Sequence, residues 1–172
     1  MEELGAEFIE ACKVGDEEAV KSLLARNCDV KNHSDLKDRN GFLLACENGH
    51  KEVVALLVNE YKCDVNHVDK EGQNGFLLAC YNGHKELVEL LVNEYKCDVN
   101  HVSKLGNSGL MWACENGHKE IVALLANEYK CDVNHVDKDG KNGFMDACGG
   151  GHKEVVALLV NCLLYTSDAA DE

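Results

Sequence analysis

Cysteine and histidine are the residues of this chain whose types and spacing could do chemistry. The 172 residues include ten cysteines and eight histidines, which are the usual ligands of zinc and, for cysteine, the source of disulfides. Many of them recur every 34 residues: Cys12, Cys46, Cys80, Cys114 and Cys148; Cys63, Cys97 and Cys131; His50, His84, His118 and His152; His67, His101 and His135. This interval can be compared with three interpretations: a series of metal or redox sites, a disulfide framework, and a structural repeat.

The spacing argues against the first two interpretations. Equivalent residues of stacked helical units should lie about 8–10 Å apart, which is the helix packing distance. A disulfide needs Cα atoms about 4.4–6.8 Å apart, and zinc needs four ligands at about 2.0–2.3 Å. We therefore predict buried structural cysteines, with no metal and no cofactor. Pairs that combine the two repeat positions, such as Cys46 with Cys63, remain open, and zinc measured in purified protein would test a metal-buffering role.

No group of residues suggests catalysis. Acidic residues are frequent, but Glu52, Glu86, Glu120 and Glu154 each fall in a helix's first turn, where a carboxylate interacts favourably with the helix dipole. The sequence contains no GxGxxG, GxxxxGK or GxSxG motif. We predict that the protein is not an enzyme.

Charge and hydropathy limit the partners. Lys and Arg total 17 and Asp and Glu total 31, which gives a formal charge of −14. Phosphate groups are bound by Lys and Arg, so nucleic acid is not an expected partner. The longest unbroken apolar runs, such as residues 53–58, have six residues, far short of the roughly 20 residues of a spanning helix, and the first residues lack a signal-peptide pattern. We expect a monomer inside the cell, in the cytoplasm, without membrane insertion.

The elements that position these residues repeat with the same interval. In the unit 69–102, apolar residues fall on one side of a short helix that Asn74 can cap and that Asn82 and Gly83 can end. A second apolar stripe begins near His84, and a loop rich in Asp, Asn and Gly follows. Neither helix buries its apolar side alone, so the units must stack. We predict five helix pairs, with inner helices near 41–48, 75–82, 109–116 and 143–149.

Three recurring segments resemble ankyrin repeats: GHKEVVALL, the short helix ending in Ala-Cys, and the DVN after it. The resemblance covers roughly residues 7–161 and implies an all-α ankyrin-repeat solenoid. The chain departs from the family in two ways. The Thr-Pro-Leu-His opening is replaced by sequences such as Asn74-Gly75-Phe76-Leu77, and the second helix, ending in NEYKC, is one residue longer.

The predicted division of the chain follows the repeat. Residues 1–34 form an N-terminal capping repeat, 35–68, 69–102 and 103–136 form three ankyrin repeats, and 137–161 form a truncated repeat. Residues 162–172, CLLYTSDAADE, break the pattern and resemble a translated sequencing adapter, the alternative being a natural divergent C-terminus. We expect this tail to be non-native, and the fifth outer helix to expose Val155, Val156, Leu158 and Leu159 and to run on through Cys162.

Positions that vary between otherwise similar repeats are the candidates for binding. Leu44, Leu78, Trp112 and Asp146 occupy one such position, and Glu47, Tyr81, Glu115 and Gly149 another. In ankyrin repeats, such inner-helix residues and the loop tips line the concave surface that binds partners. The resemblance therefore implies a protein–protein interaction scaffold, with a regulatory or targeting segment of a longer enzyme or channel as the alternative. We predict a site centred on the third and fourth units: Lys70, Glu71, Gln73, Leu78, Tyr81, Lys104, Leu105, Asn107, Trp112 and Glu115.

Overall fold

The computed structural model describes residues 2–26, 29 and 33–168. This part of the chain is helical and contains no β-strand, which confirms the predicted all-α class. Ten α-helices form five consecutive pairs: α1 Glu2–Val14 and α2 Glu17–Ala25; α3 Gly41–Asn48 and α4 Lys51–Asn59; α5 Gly75–Asn82 and α6 Lys85–Asn93; α7 Gly109–Glu115 and α8 Lys119–Ala123; α9 Gly143–Gly150 and α10 Lys153–Asp168. We call the odd-numbered helices inner and the even-numbered helices outer.

Short polar caps set the ends of the inner helices, as predicted. The side chain of Asn74 accepts a hydrogen bond of 2.9 Å from the Leu77 N–H at the start of α5, which satisfies a backbone donor that the helix cannot. Asn40, Ser108 and Asn142 do the same at α3, α7 and α9. Gly83 ends α5 in the left-handed conformation, with φ 82°, where a glycine has no steric penalty.

The inner helices pack closely on one another and form the centre of the core. Phe76 and Cys80 of α5 are fully buried, and the next inner helix begins directly against them. The same contact explains why glycine replaces the family's proline at the first helical position. A Cβ atom at Gly75 would lie only 2.7 Å from Cys46 Sγ and 2.9 Å from Phe42 Cε1, so a larger residue would separate the two helices.

Histidines join four of the outer helices, α4, α6, α8 and α10, to the preceding repeat. The ring of His84, which precedes α6, lies against Gly49 and places its Nε2 2.9 Å from the carbonyl oxygen of Glu47. A carbonyl only accepts, so Nε2 carries the proton in this hydrogen bond. His50, His118 and His152 make the same contact with the repeat before them. These histidines therefore have a structural role in the stack.

The loops between repeats are also joined. The Lys70 N–H donates to the Lys37 carbonyl at 3.0 Å, and the Lys104 N–H donates to the Glu71 carbonyl at 2.8 Å. The predicted boundaries between the repeats stay a prediction. The hydrogen-bonded loops connect neighbouring repeats continuously and mark no residue at which one repeat ends. Parts of the predicted capping repeat and of the predicted tail lie outside the described residues, namely Met1, Asn27, Cys28, 30–32 and 169–172.

The longer outer helix is accommodated by a local change of helix type. After α8, residues Leu124–Glu128 form a π-helical turn, and the Tyr129 N–H donates to the Leu124 carbonyl five residues earlier. In the third unit, the Tyr95 N–H makes the corresponding bond to Leu90 at 3.4 Å. A wider turn absorbs one extra residue without shifting the apolar side of the helix. Sequence patterns indicated the extra residue but not this geometry.

The fifth pair differs from prediction in its outer helix. Val155 and Leu159 are each only 1% exposed, so the expectation that they are exposed is wrong. Both belong to the hydrophobic core, and α10 contacts α9 of its own pair as well as α8 of the fourth unit. Val156 and Leu158 are half-buried, and α10 continues through Cys162 to Asp168 as predicted.

Candidate functional site

Most of the described thiols are core residues, but the prediction of buried cysteines is wrong for Cys148, which is exposed, and for Cys63 and Cys162, which are half-buried. Burial raises the pKa of Cys46 and Cys80 well above the ordinary value, and it raises the pKa of Cys97 to about 11. Cys97 adds a smaller electrostatic effect that raises the pKa of Cys46, and Cys131 does the same for Cys80, so the two repeat positions interact across neighbouring repeats. No disulfide joins any described cysteines, and no three His, Cys, Asp or Glu side chains among the described residues form a metal-holding group. The buried thiols pack as small apolar groups.

Several of the varying positions lie close to one another: Arg39 pairs with Glu47, Tyr81 packs on Trp112, and Glu115, Lys141, Asp146 and Gly149 line one groove. We use the name inner-helix surface for the outward-facing residues of α3, α5, α7 and α9 together with the loop tips 36–38, 70–72, 104–106 and 138–140. Inner helices are positioned by their caps and by the glycine contacts described above. Residues at this surface therefore stand on a rigid base, which is a requirement for a precise binding site.

The structure brings the two predicted aromatic residues together but buries one of them. Trp112 is 7% exposed and Tyr81 is 44% exposed. Their ring centroids are 5.5 Å apart with the planes at 79°, an edge-to-face arrangement. The buried Trp112 ring therefore packs against Tyr81 and restricts its orientation, and Tyr81 is the ring that a partner can reach. Leu78 is also buried, with 4% exposure, so it packs in the core beneath this surface and is not available to a partner.

The predicted loop residues divide by their contacts. Lys70 Nζ donates to the Leu36 carbonyl at 2.9 Å, and Lys104 Nζ donates to the Lys70 carbonyl at 2.6 Å. Both lysines thus help to stack the loops. Gln73 and Asn107 are half-buried and close their loops through backbone N–H groups. The exposed residues that remain for contact are Glu71, Leu105 and Glu115.

The second unit carries an ion pair on the inner-helix surface. The Arg39 guanidinium contacts both oxygens of Glu47, at 2.5 and 2.6 Å, and also contacts Asp35. Burial alone would raise the pKa of Asp35, but hydrogen bonds from Arg39 and from the Lys37 N–H outweigh it and lower that pKa. A guanidinium therefore fits closely beside a carboxylate at this position of the repeat.

A groove of about 650 Å³ opens between α7 and α9. Its lining residues are Glu115, Asn116, Lys141, Met145, Asp146, Gly149 and Gly150. Met145 is 55% exposed, a large apolar side chain in contact with solvent. The groove combines this apolar side chain with two carboxylates, Glu115 and Asp146, and with the ammonium group of Lys141.

Carboxylates outnumber cations in and beside the groove. Partial burial raises the pKa of the Asp146 carboxyl, and the charges of Glu115 and Asp137 raise it further, while Lys141 opposes them. The same carboxylate adds to the effect of burial on the Cys114 thiol, whose pKa is raised to about 12. Two carboxylates that repel each other in a partly desolvated groove favour a cation.

Sequence reasoning found part of this surface and missed the groove. Tyr81, Leu105, Glu71 and Glu115 are exposed as expected. Met145 and Asp146 were not among the predicted residues, although Asp146 stands at a position recognised as variable. The sequence did contain an indication of the groove. Gly149 and Gly150 stand in the fifth repeat where the fourth repeat has the larger Glu115 and Asn116.

The fold defines a class: a solenoid of stacked helix–turn–helix repeats with one surface of variable residues. The chain belongs to the ankyrin repeat family, since the family model for ankyrin repeats (3 copies) matches residues 8–103 and 76–169. Repeats of this family generally mediate protein–protein interactions. No curated protein matches the chain. Among the described residues, no helix has the length and apolar character needed to cross a membrane.

Proposed function

We propose that this chain is a non-enzymatic scaffold that binds a partner protein on a concave face, and that the inner-helix surface is that face. The observation that carries the proposal is the contrast between framework and surface. Phe76 and Cys80, which repeat, are buried in the core, whereas Tyr81 and Leu105, at positions where the repeats differ, are exposed; the varying residue Trp112 is buried beneath this surface. Interfaces depend on aromatic anchors of this kind.

The orientation of Tyr81 supports its role as an anchor. The Trp112 ring holds it edge-on, so little rotamer entropy remains to be lost when a partner covers it. Leu105, on the next loop tip, is 64% exposed and adds apolar area. Lys70 and Lys104 shape the loops between these contacts. In this proposal the chain acts as a monomer in the reducing interior of a cell, where its tightly packed thiols stay reduced.

Quantitative affinity capture tests the proposal. Purified wild-type chain and the double variant Tyr81→Ala/Leu105→Ala would be used as baits in the same extract, with bound proteins compared by mass spectrometry. The matched control is Glu52→Ala/Glu86→Ala, which truncates two exposed residues of the outer helices. We expect the first variant to lose a specific set of proteins that the control retains, at unchanged melting temperature. Equal capture by all three baits would refute the assignment of the surface.

A further inference from the structure

Residue size explains why the groove lies between α7 and α9. Its walls in α9 are formed by Asp146 and Gly149, and the residues 34 positions earlier are Trp112 and Glu115. Trp112 fills the corresponding space between α5 and α7 by packing on Tyr81. A Cβ atom at Gly149 would meet nothing within 4 Å. The space is therefore open because large side chains are replaced by small ones.

The groove contains the ammonium group of Lys141 in its lining but no guanidinium paired with its carboxylates, whereas another repeat supplies such a guanidinium internally. Arg39 stands eight residues before Glu47 and pairs with it. Asn107 stands eight residues before Glu115, and its short, neutral amide cannot replace a guanidinium. Within the part of the chain that the structure describes, no Lys, Arg or His forms an ion pair with Glu115 or Asp146.

Resting on the proposed function, we propose that the groove binds a basic segment of the partner protein, with an arginine guanidinium between Glu115 and Asp146 and its aliphatic stem on Met145. The arrangement in the second unit is the template, because Arg39 there contacts two carboxylates at once. Arginine suits such a site better than lysine, since its planar guanidinium bonds two acids and its stem packs on apolar atoms. The chain's charge of −14 favours the approach of a basic segment.

A display library of random short peptides, selected on the full chain, provides the probe. We expect the selected peptides to be enriched in arginine and to bind the double variant Glu115→Gln/Asp146→Asn at least about tenfold more weakly, as for a charge pair at an interface. The matched control, Glu86→Gln/Glu120→Gln, removes the same two charges from the outer helices and should bind like wild type. Gly149→Leu fills the groove and should also abolish binding. Melting curves would confirm that every variant is folded.

The outcomes separate this inference from the proposed function. Selected peptides that lose binding on Tyr81→Ala/Leu105→Ala but ignore the groove variants would overturn the inference and leave the scaffold intact. Peptides that ignore every variant of the inner-helix surface would count against both. Selection without enrichment of arginine would also overturn the inference. An equal loss of binding in the Glu86→Gln/Glu120→Gln control would overturn it too, because it would show that only the overall charge matters.

Discussion

Asp146 places a charge where the second and third repeats bury Leu44 and Leu78. Burial first, and then the charges of Glu115 and Asp137, raise the pKa of this carboxyl above its ordinary value of 3.8. Between those two pKa values the folded chain binds more protons than the unfolded chain, so stability falls as pH rises through that window. At neutral pH the ionised Asp146 therefore lowers the stability of the fold.

The substitution Asp146→Asn should accordingly raise the free energy of unfolding at neutral pH. The gain should disappear near about pH 3, where the carboxyl is protonated in both states. Urea titrations across that range would measure it, with Asp139→Asn as the exposed control. A gain that does not change with pH would mean that the charge is not its cause. Together with the peptide experiment, this would show one residue that reduces stability and promotes binding.

Two glycines in equivalent helices should respond oppositely to the same substitution. Gly75→Ala forces a methyl group against Cys46 Sγ and the Phe42 ring, so it should destabilise the chain by about 1–3 kcal/mol, as overpacking does. Gly149→Ala meets open space and should stabilise by about 0.5–1 kcal/mol, because alanine loses less entropy in a helix. Urea denaturation measures both. Equal effects at the two sites would refute the tight contact, and Cys46→Ala should partly rescue Gly75→Ala.

At the scale of the helices, the caps were the most predictable feature. Asn74 is 2% exposed, and its side chain satisfies the Leu77 N–H. Asn74→Ala should therefore cost about 1 kcal/mol, plus the penalty of a buried donor without a partner. Asn74→Ser is the control that the chain itself offers, since Ser108 caps α7 in the same way. A serine variant as unstable as the alanine variant would indicate lost packing instead of a lost cap.

Other helix features could not be predicted from sequence. A cap, a glycine turn or an apolar stripe acts within a few residues, and the sequence shows all its participants. By contrast, the hydrogen bond from His84 to the Glu47 carbonyl joins residues of different repeats, and the burial of Trp112 depends on Tyr81 in the neighbouring helix. The groove was missed for the same reason, since it arises from what two helices jointly leave empty.

At the scale of the whole molecule, stability should vary along the stack. Each repeat contacts only its neighbours, so its local stability is its own folding energy plus the interfaces on either side. In the third unit, Phe76 and Cys80 are fully buried between two inner helices. In the fifth unit, Phe144 is half-buried and Cys148 is exposed. One side of α9 therefore contributes little interface energy among the described residues.

Native-state hydrogen exchange should show this gradient directly. Amides of α9 and α10 should exchange through an opening of lower free energy than amides of α5 and α6, because local opening there breaks one interface instead of two. Two leucine truncations sharpen the test, since Leu77 and Leu159 are both almost fully buried. Leu77→Ala should cost about 2–5 kcal/mol and reduce protection in both neighbouring repeats. Leu159→Ala should affect the fifth unit and the adjoining α8 while leaving α5 protected. Equal protection of α5 and α9 in the unmodified chain would mean that the stack unfolds as one cooperative unit, which would contradict the nearest-neighbour account.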